Sequence, residues 1–176
     1  SATTLESMFW GASAFNQSLA TWDVSQVVNM LGTVSQASSF DQNIDIWETT
    51  RVTSMYQMFW EAAAFNQPLR SWYDDTNSRG VHVVVNMNYL FWKAAAFNQD
   101  LGWCVNDDVD LDSAFFGTKC AAGCIFGSDC ASLSCGVARG AVGTCAPSSA
   151  PSSMPSKLPT PKPTTSYPTL SLAPTG

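Results

Sequence analysis

Apolar positions in the first hundred residues recur in blocks of similar sequence. Phenylalanine recurs at spacings of 25, 25 and 32 residues (Phe15, Phe40, Phe65, Phe97). Around these positions three segments nearly coincide and a fourth is a weaker copy: Met8–Leu19, Met58–Leu69, Leu90–Leu101 and Thr33–Ile44. The longer spacing reflects extra polar residues in Tyr73–Arg79, which predict a surface loop because the register is intact on both sides. A fixed period of this length is typical of stacked repeats.

Two kinds of local pattern alternate within each unit. Met8, Ala12 and Phe15 lie at i, i+4 and i+7, which predicts one face of a short helix. The apolar, β-branched stretch 22–27 then predicts a short strand. One such pair cannot bury its apolar face alone, whereas stacked copies can. The sequence therefore predicts an α/β repeat, a right-handed solenoid with short parallel strands and short helices.

The consensus of the units reads Met-Phe-x-x-Ala-x-x-Phe-Asn-Gln-x-Leu-x-x-Trp-Asp-Val-Ser-x-Val-x-x-Met. This consensus resembles the repeat of BspA-type leucine-rich-repeat surface proteins over about Ser1–Asp112. The resemblance implies a leucine-rich-repeat-like solenoid at the cell surface that serves adhesion or partner binding. It implies no catalytic residues and no cofactor, so the chain is not expected to be an enzyme.

Composition divides the chain into three regions. The repeats predict a solenoid over 1–112, and the cysteines predict a cap over 104–146. Residues 147–176 contain eight Pro, seven Ser and five Thr, a composition typical of a disordered stalk. At the other end Leu5 occupies the register of Met30 and Met55. The chain is therefore expected to begin inside a repeat, whose open end meets further units or self-associates.

The six cysteines fall within one short, Gly- and Ala-rich stretch: Cys104, Cys120, Cys124, Cys130, Cys135 and Cys145. Three disulfides would stabilise a segment with little core of its own, and they imply an extracellular or cell-surface location. Fifteen pairings are open. Zinc is the competing interpretation, but there is no C-x2-C pair and His82 is the single histidine, so no metal site is expected.

Charge and hydropathy exclude further classes. With eight Lys and Arg and a net charge of −6 the chain offers no basic patch for nucleic acid. The apolar stretch Val81–Trp92 is broken by polar residues, so no membrane span is expected. No Ser or Cys and carboxylate partners can be placed beside His82 from the sequence.

The seven tryptophans fall into two rows of the repeat. Trp22, Trp47, Trp72 and Trp103 predict a buried ladder beside the strands. Trp10, Trp60 and Trp92 form a second row in which unit two has Ser35, so this row is predicted to be partly exposed and to bind a ligand. The favoured function is recognition of a protein or glycan. A structural wall or matrix component, or an accessory region of a larger secreted enzyme, are the alternatives.

Overall fold

The stack of repeat units is the main feature of the fold. The computed structural model describes residues 1–74, 79–121 and 135–140. Isolated parallel β-bridges join one unit to the next in sequence order, through Thr4, Asn29, Ser54, Asn86 and Asp110. Among the described residues five units therefore stack, where the sequence pattern indicates about four. The fifth begins at Asp110 and is described as far as Ala121.

Regular secondary structure is sparse among the described residues. Two 3-10 helices span Arg70–Trp72 and Val81–Val83. Strand β1 (Tyr73–Asp74) pairs antiparallel with β2 (Arg79–Gly80), on either side of the insertion that the sequence predicts to be a loop. Strand β3 (Trp103–Val105) pairs in parallel with β4 (Val137–Arg139). No helix of the described residues has the length and hydropathy needed to cross a membrane.

The predicted short helices are wrong, since consecutive turns occupy those positions. In the first unit, Met8, Trp10, Ala12 and Phe15 each donate a backbone hydrogen bond to the carbonyl three residues earlier. Ser7 and Gly11 have φ values of 54° and 72°, and a residue with positive φ cannot continue a right-handed helix. The other units repeat this pair of left-handed positions: Gly32 and Gln36, Gln57 and Glu61, Tyr89 and Lys93, Ser113 and Gly117.

The residues between these turn donors bond to the next unit instead. Leu5, Ser7, Phe9 and Gly11 donate their backbone N–H groups to carbonyls of unit two at 2.8–2.9 Å. Equivalent sets of four bonds join the later units, all between 2.7 and 3.1 Å. Every second amide is thus satisfied by the neighbouring unit, as in a parallel sheet, although the backbone winds through turns. The strand predicted in each unit is therefore reduced to a single bridge residue. In the first case this residue is Asn29, just after the predicted strand at 22–27.

The core consists of stacked columns of like side chains. One phenylalanine column has ring centroids 5.8, 5.9 and 6.2 Å apart and nearly parallel planes: Phe15, Phe40, Phe65 and Phe97. Met30, Met55 and Met87 form another fully buried column, which Leu5 and Leu111 extend. Met8 is 51% exposed at the outer face of unit one, whereas its equivalent Met58 is fully buried. Burial at these positions depends on a neighbouring unit.

A final layer from the cysteine-rich segment packs on the fourth unit. Leu101 donates to the carbonyl of Cys135 at 2.9 Å, and Gly140 donates to that of Val105 at 3.0 Å, on either side of the β3–β4 pair. Gly136 lies so close to the side chain of Asp100 that a Cβ atom would overlap it. The described part of the predicted cap thus continues the stack. The predicted stalk, 147–176, lies outside the described residues.

Candidate functional site

The first tryptophan row is buried, apart from its first member. Trp47, Trp72 and Trp103 are 3%, 1% and 1% exposed, whereas Trp22 is 38% exposed. The indole N–H of each buried member donates to the backbone carbonyl of the Leu or Ile three positions before the preceding tryptophan, at 2.9–3.1 Å. Adjacent rings stack at 6.5 and 6.3 Å. Tryptophan is required in this row because its ring stacks on the neighbouring rings and its indole N–H donates a hydrogen bond to the preceding unit.

The second row forms a partly exposed ridge, which we call the aromatic ridge: Trp10, Trp60, Trp92 and Phe116. Trp10 is 42% exposed, while the other three are half-buried. Ring centroids lie 6.0, 5.5 and 6.2 Å apart along the ridge. Successive rings from Trp60 to Phe116 are inclined by 23° and 25°, whereas the Trp10 ring is tilted by 53° from that of Trp60. Phe116 was missed in the sequence because the fifth unit departs strongly from the consensus, although its Phe-Phe-Gly follows the register of Phe-Trp-Gly in unit one.

A polar row runs beside the aromatic ridge. Gln36 accepts a hydrogen bond from the Trp10 indole at 3.2 Å and donates to Glu61 at 3.1 Å. Lys93 pairs with Glu61 at 3.9 Å and places its ammonium 4.1 Å from the centroid of the Trp92 ring. These contacts fix the polar side chains in a line along the stack, so a ligand on the ridge would meet one amide, one carboxylate and one cation.

The asparagine ladder after the phenylalanines is structural. The Asn66 side-chain oxygen accepts from the backbone N–H of Asn98 at 2.8 Å and from the Gln99 amide at 3.0 Å. Asn16 and Asp41 accept equivalent pairs of bonds from the following units. The glutamine beside each asparagine is therefore a second structural residue, which the sequence pattern contained but which was not singled out.

The acidic residue after the first tryptophan closes a local turn. Asp23 accepts bonds from the backbone N–H and the hydroxyl of Ser25, at 3.1 and 2.7 Å. These bonds stabilise the carboxylate and hold the pKa of Asp23 below its usual value. The Asp-Val-Ser segment of the consensus is thus explained by turn formation.

The comparisons with known proteins identify a family without a known role. Residues 1–103 and 74–123 match the family described as "Mycoplasma protein of unknown function, DUF285". The chain belongs to this family. No curated protein and no solved structure matches the chain. The DUF285 matches together cover the described residues of all five stacked units.

The cysteines lie at the end of the DUF285 region and beyond it. Cys120 and Cys135 form a disulfide with 15 residues of separation, and Cys104 is disulfide-bonded as well. The Cys120–Cys135 bond joins the fifth DUF285 unit to the layer that pairs with β3. Cys124, Cys130 and Cys145 lie outside the described residues. Among the residues that the structure describes, no three His, Cys, Asp or Glu side chains converge on a metal position.

Proposed function

We propose that the chain is a non-enzymatic recognition module, located outside the cell or at its surface, that binds a protein or a glycan through the aromatic ridge. It requires no cofactor. The disulfides support an oxidising compartment, since such bonds persist mainly in secreted and surface proteins. In this proposal the units wind as a right-handed, leucine-rich-repeat-like solenoid of the BspA type, and the Pro/Ser/Thr-rich segment 147–176 is its stalk.

The observation that carries this proposal is the row of partly exposed aromatic side chains at one position of the repeat. Trp10, Trp60 and Trp92 repeat along the stack, and Trp10 alone leaves 42% of its surface in water. Aromatic side chains supply large contact areas at low entropic cost, which is why they are enriched at binding sites. Because the partly exposed rings recur from unit to unit, the ligand would lie across several units, with the row Gln36–Glu61–Lys93 fixing its orientation.

A pair of matched variants tests the proposal. Trp60→Ala removes the centre of the aromatic ridge, while Trp22→Ala removes an exposed tryptophan of the other row. We expect the wild-type chain to bind discrete members of a glycan array or a protein array. Trp60→Ala should weaken that binding at least tenfold, and Trp22→Ala should leave it within twofold. Equal losses in both variants, or no array binding by the wild-type chain, would contradict the proposal.

A structural role is the second candidate, favoured by the exposed edge of unit one. Met8 and Trp22 are exposed there. The carbonyls of Thr4, Glu6 and Trp10 accept no backbone bond from the described residues, although their equivalents in later units do. An edge that presents backbone carbonyls can pair with an edge of another chain that presents N–H groups, but not with a second edge that presents carbonyls. A wall or matrix component would then grow head to tail.

Sedimentation velocity separates the two candidates. Head-to-tail assembly predicts species that lengthen with concentration, and Met8→Glu should suppress them by placing a charge in the apolar contact. A chain that remains monomeric at high concentration and binds an array ligand favours recognition. Closed dimers would contradict the head-to-tail scheme, since two acceptor edges would then face each other.

A further inference from the structure

The aromatic ridge has a gap at unit two, where Ser35 takes the place of a ring. Trp10 and Trp60 are two units apart in the stack. Neighbouring parallel chains lie about 4.8 Å apart, so two rings two units apart would be separated by roughly 9.6 Å. Their centroids are 6.0 Å apart, and their planes are tilted by 53°. The two indoles have therefore closed over the position of Ser35, which we call the Ser35 gap.

The hydroxyl of Ser35 is buried in this gap without a partner. Ser35 is 0% exposed, and its Oγ makes no hydrogen bond to any residue that the structure describes. The backbone around it is satisfied, since its carbonyl accepts from Gly11 at 2.8 Å and its N–H donates to Gly32 at 3.1 Å. A buried hydroxyl without a partner is unfavourable, because it has lost its water and gained nothing. The gap thus contains one polar group that a ligand could satisfy.

The indole that closes the gap is the one best able to move. Trp10 is the most exposed member of the aromatic ridge, and its indole N–H is held by one bond to Gln36. Its ring lies against Gly32, where a Cβ atom would approach within 2.7 Å, so the closed position depends on the absence of a side chain there. Rotation of Trp10 outward would restore the two-unit spacing and release the amide oxygen of Gln36.

We propose that the Ser35 gap binds one pyranose ring of a glycan between Trp10 and Trp60. This inference rests on the proposed function and names its ligand class. A ring inserted between two indoles needs a contact of 3.5–4.0 Å on each side, or about 7–8 Å in total. A separation of about 7–8 Å is available at the two-unit spacing of roughly 9.6 Å. It exceeds the 6.0 Å between the Trp10 and Trp60 ring centroids in the structure, so Trp10 must rotate outward when the sugar enters.

The groups around the Ser35 gap favour a sugar over a flat aromatic ligand. A pyranose ring has apolar C–H faces for the two indoles and hydroxyls around its edge. Ser35 occupies the row position between the two indoles with its Oγ buried, and the Gln36 amide and the Glu61 carboxylate follow along the polar row. Such a combination of aromatic walls with a few polar groups is the usual composition of a small-molecule site. An aromatic ligand would leave Ser35 Oγ without a partner.

The test uses the full chain and four soluble probes: the methyl glycosides of glucose, galactose, mannose and N-acetylglucosamine. Binding is followed by tryptophan fluorescence and by ligand-observed NMR. Ser35→Trp fills the gap with the residue that units one, three and four carry, and we expect it to weaken binding at least tenfold without lowering the Tm. Ser35→Ala removes the hydroxyl alone and should weaken binding severalfold. Trp22→Phe, in the other row, should bind as the wild type does.

The possible outcomes separate this inference from the proposed function. Three results would contradict a sugar site at the Ser35 gap. These are undiminished glycoside binding by Ser35→Trp, binding of phenol but of no glycoside, and no glycoside binding by the wild-type chain. If Trp60→Ala nevertheless loses array binding, the recognition function stands. If a glycoside binds in a manner sensitive to Ser35→Trp while no immobilised glycan or protein is captured, the inference stands and the adhesive function fails. Should Ser35→Trp misfold, the effect of Ser35→Ala decides, because it changes one buried atom.

Discussion

Replacing Trp72 by phenylalanine tests whether the buried tryptophan row is held by its indole bonds as well as by its rings. Trp72 is 1% exposed, and it donates to the carbonyl of Ile44 at 3.1 Å. That carbonyl also accepts from the backbone N–H of Trp47 at 3.0 Å, so it keeps one partner in the variant. The lost bond should therefore cost the usual net value of about 0.5–1.5 kcal/mol rather than the penalty of an orphaned group.

The smaller ring adds a second cost. Trp72 stacks between Trp47 and Trp103, and phenylalanine would leave a small cavity between them, worth on the order of 1 kcal/mol. Together the two effects predict a loss of about 2 kcal/mol in the free energy of unfolding. For a domain of this size each kcal/mol lowers the Tm by about 2–4 °C, so thermal unfolding should move down by roughly 4–8 °C.

Trp22→Phe is the matched control, since Trp22 has the same register but is 38% exposed. It donates no indole bond to any described residue, and we expect its loss to stay below about 0.5 kcal/mol. Urea denaturation of both variants, with thermal melts followed by circular dichroism, measures the difference. The reasoning is refuted if Trp72→Phe unfolds within 1 °C of the wild type, or if the two variants lose equal stability.

Changes at four further sites probe other contacts of the stack. Asn66→Ala should lower the free energy of unfolding by about 1–3 kcal/mol in urea titrations, since it removes the bonds from the Asn98 N–H and from the Gln99 amide to the side-chain oxygen, although Gln99 keeps its bond to the Asn66 carbonyl. Asn66→Asp keeps the oxygen and should cost less; equal losses would contradict the ladder. Gly11→Ala meets no atom within 4 Å, so thermal melts should report the cost of its positive φ alone, about 1 kcal/mol. Gly32→Ala also meets Trp10 and should cost more, with equal effects arguing against that contact. Replacing Cys120 and Cys135 by serine should cost about 3 kcal/mol, the value for a loop of about 15 residues; an unchanged Tm would show that the final layer holds without the bond.

The parts of the fold that the sequence predicted correctly are those that depend on register. The spacings of Phe15, Phe40 and Phe65 give stacked rings, and the insertion after Trp72 leaves that register unbroken. A repeated apolar residue must meet its own copy in the next unit, so columns can be read without knowledge of the local backbone. The first tryptophan row was predicted to be buried for the same reason, and its described members past Trp22 are.

The candidate site could be predicted only in part, because exposure along a row depends on the residues that interrupt it. Ser35 indicated correctly that the second row differs from the first, and that row is partly exposed. The sequence could not indicate that Trp10 and Trp60 close over Ser35, since this depends on the space left by Gly32. The fifth unit was missed because Asp110 and Ala114 stand where the other units carry different side chains, although their backbone bonds follow the same scheme.

The predicted helix failed because its signal is shared by another structure. A succession of turns brings Met8, Ala12 and Phe15 to one side of the backbone, as a helix would. The difference lies at Ser7 and Gly11, whose positive φ values redirect every second amide toward the next unit. In later units Gln57, Glu61, Tyr89 and Lys93 hold the same conformation, each at a cost of roughly 1–2 kcal/mol that the four inter-unit bonds and the buried columns must offset. A lone unit lacks those bonds, so the turns are stable only in the stack.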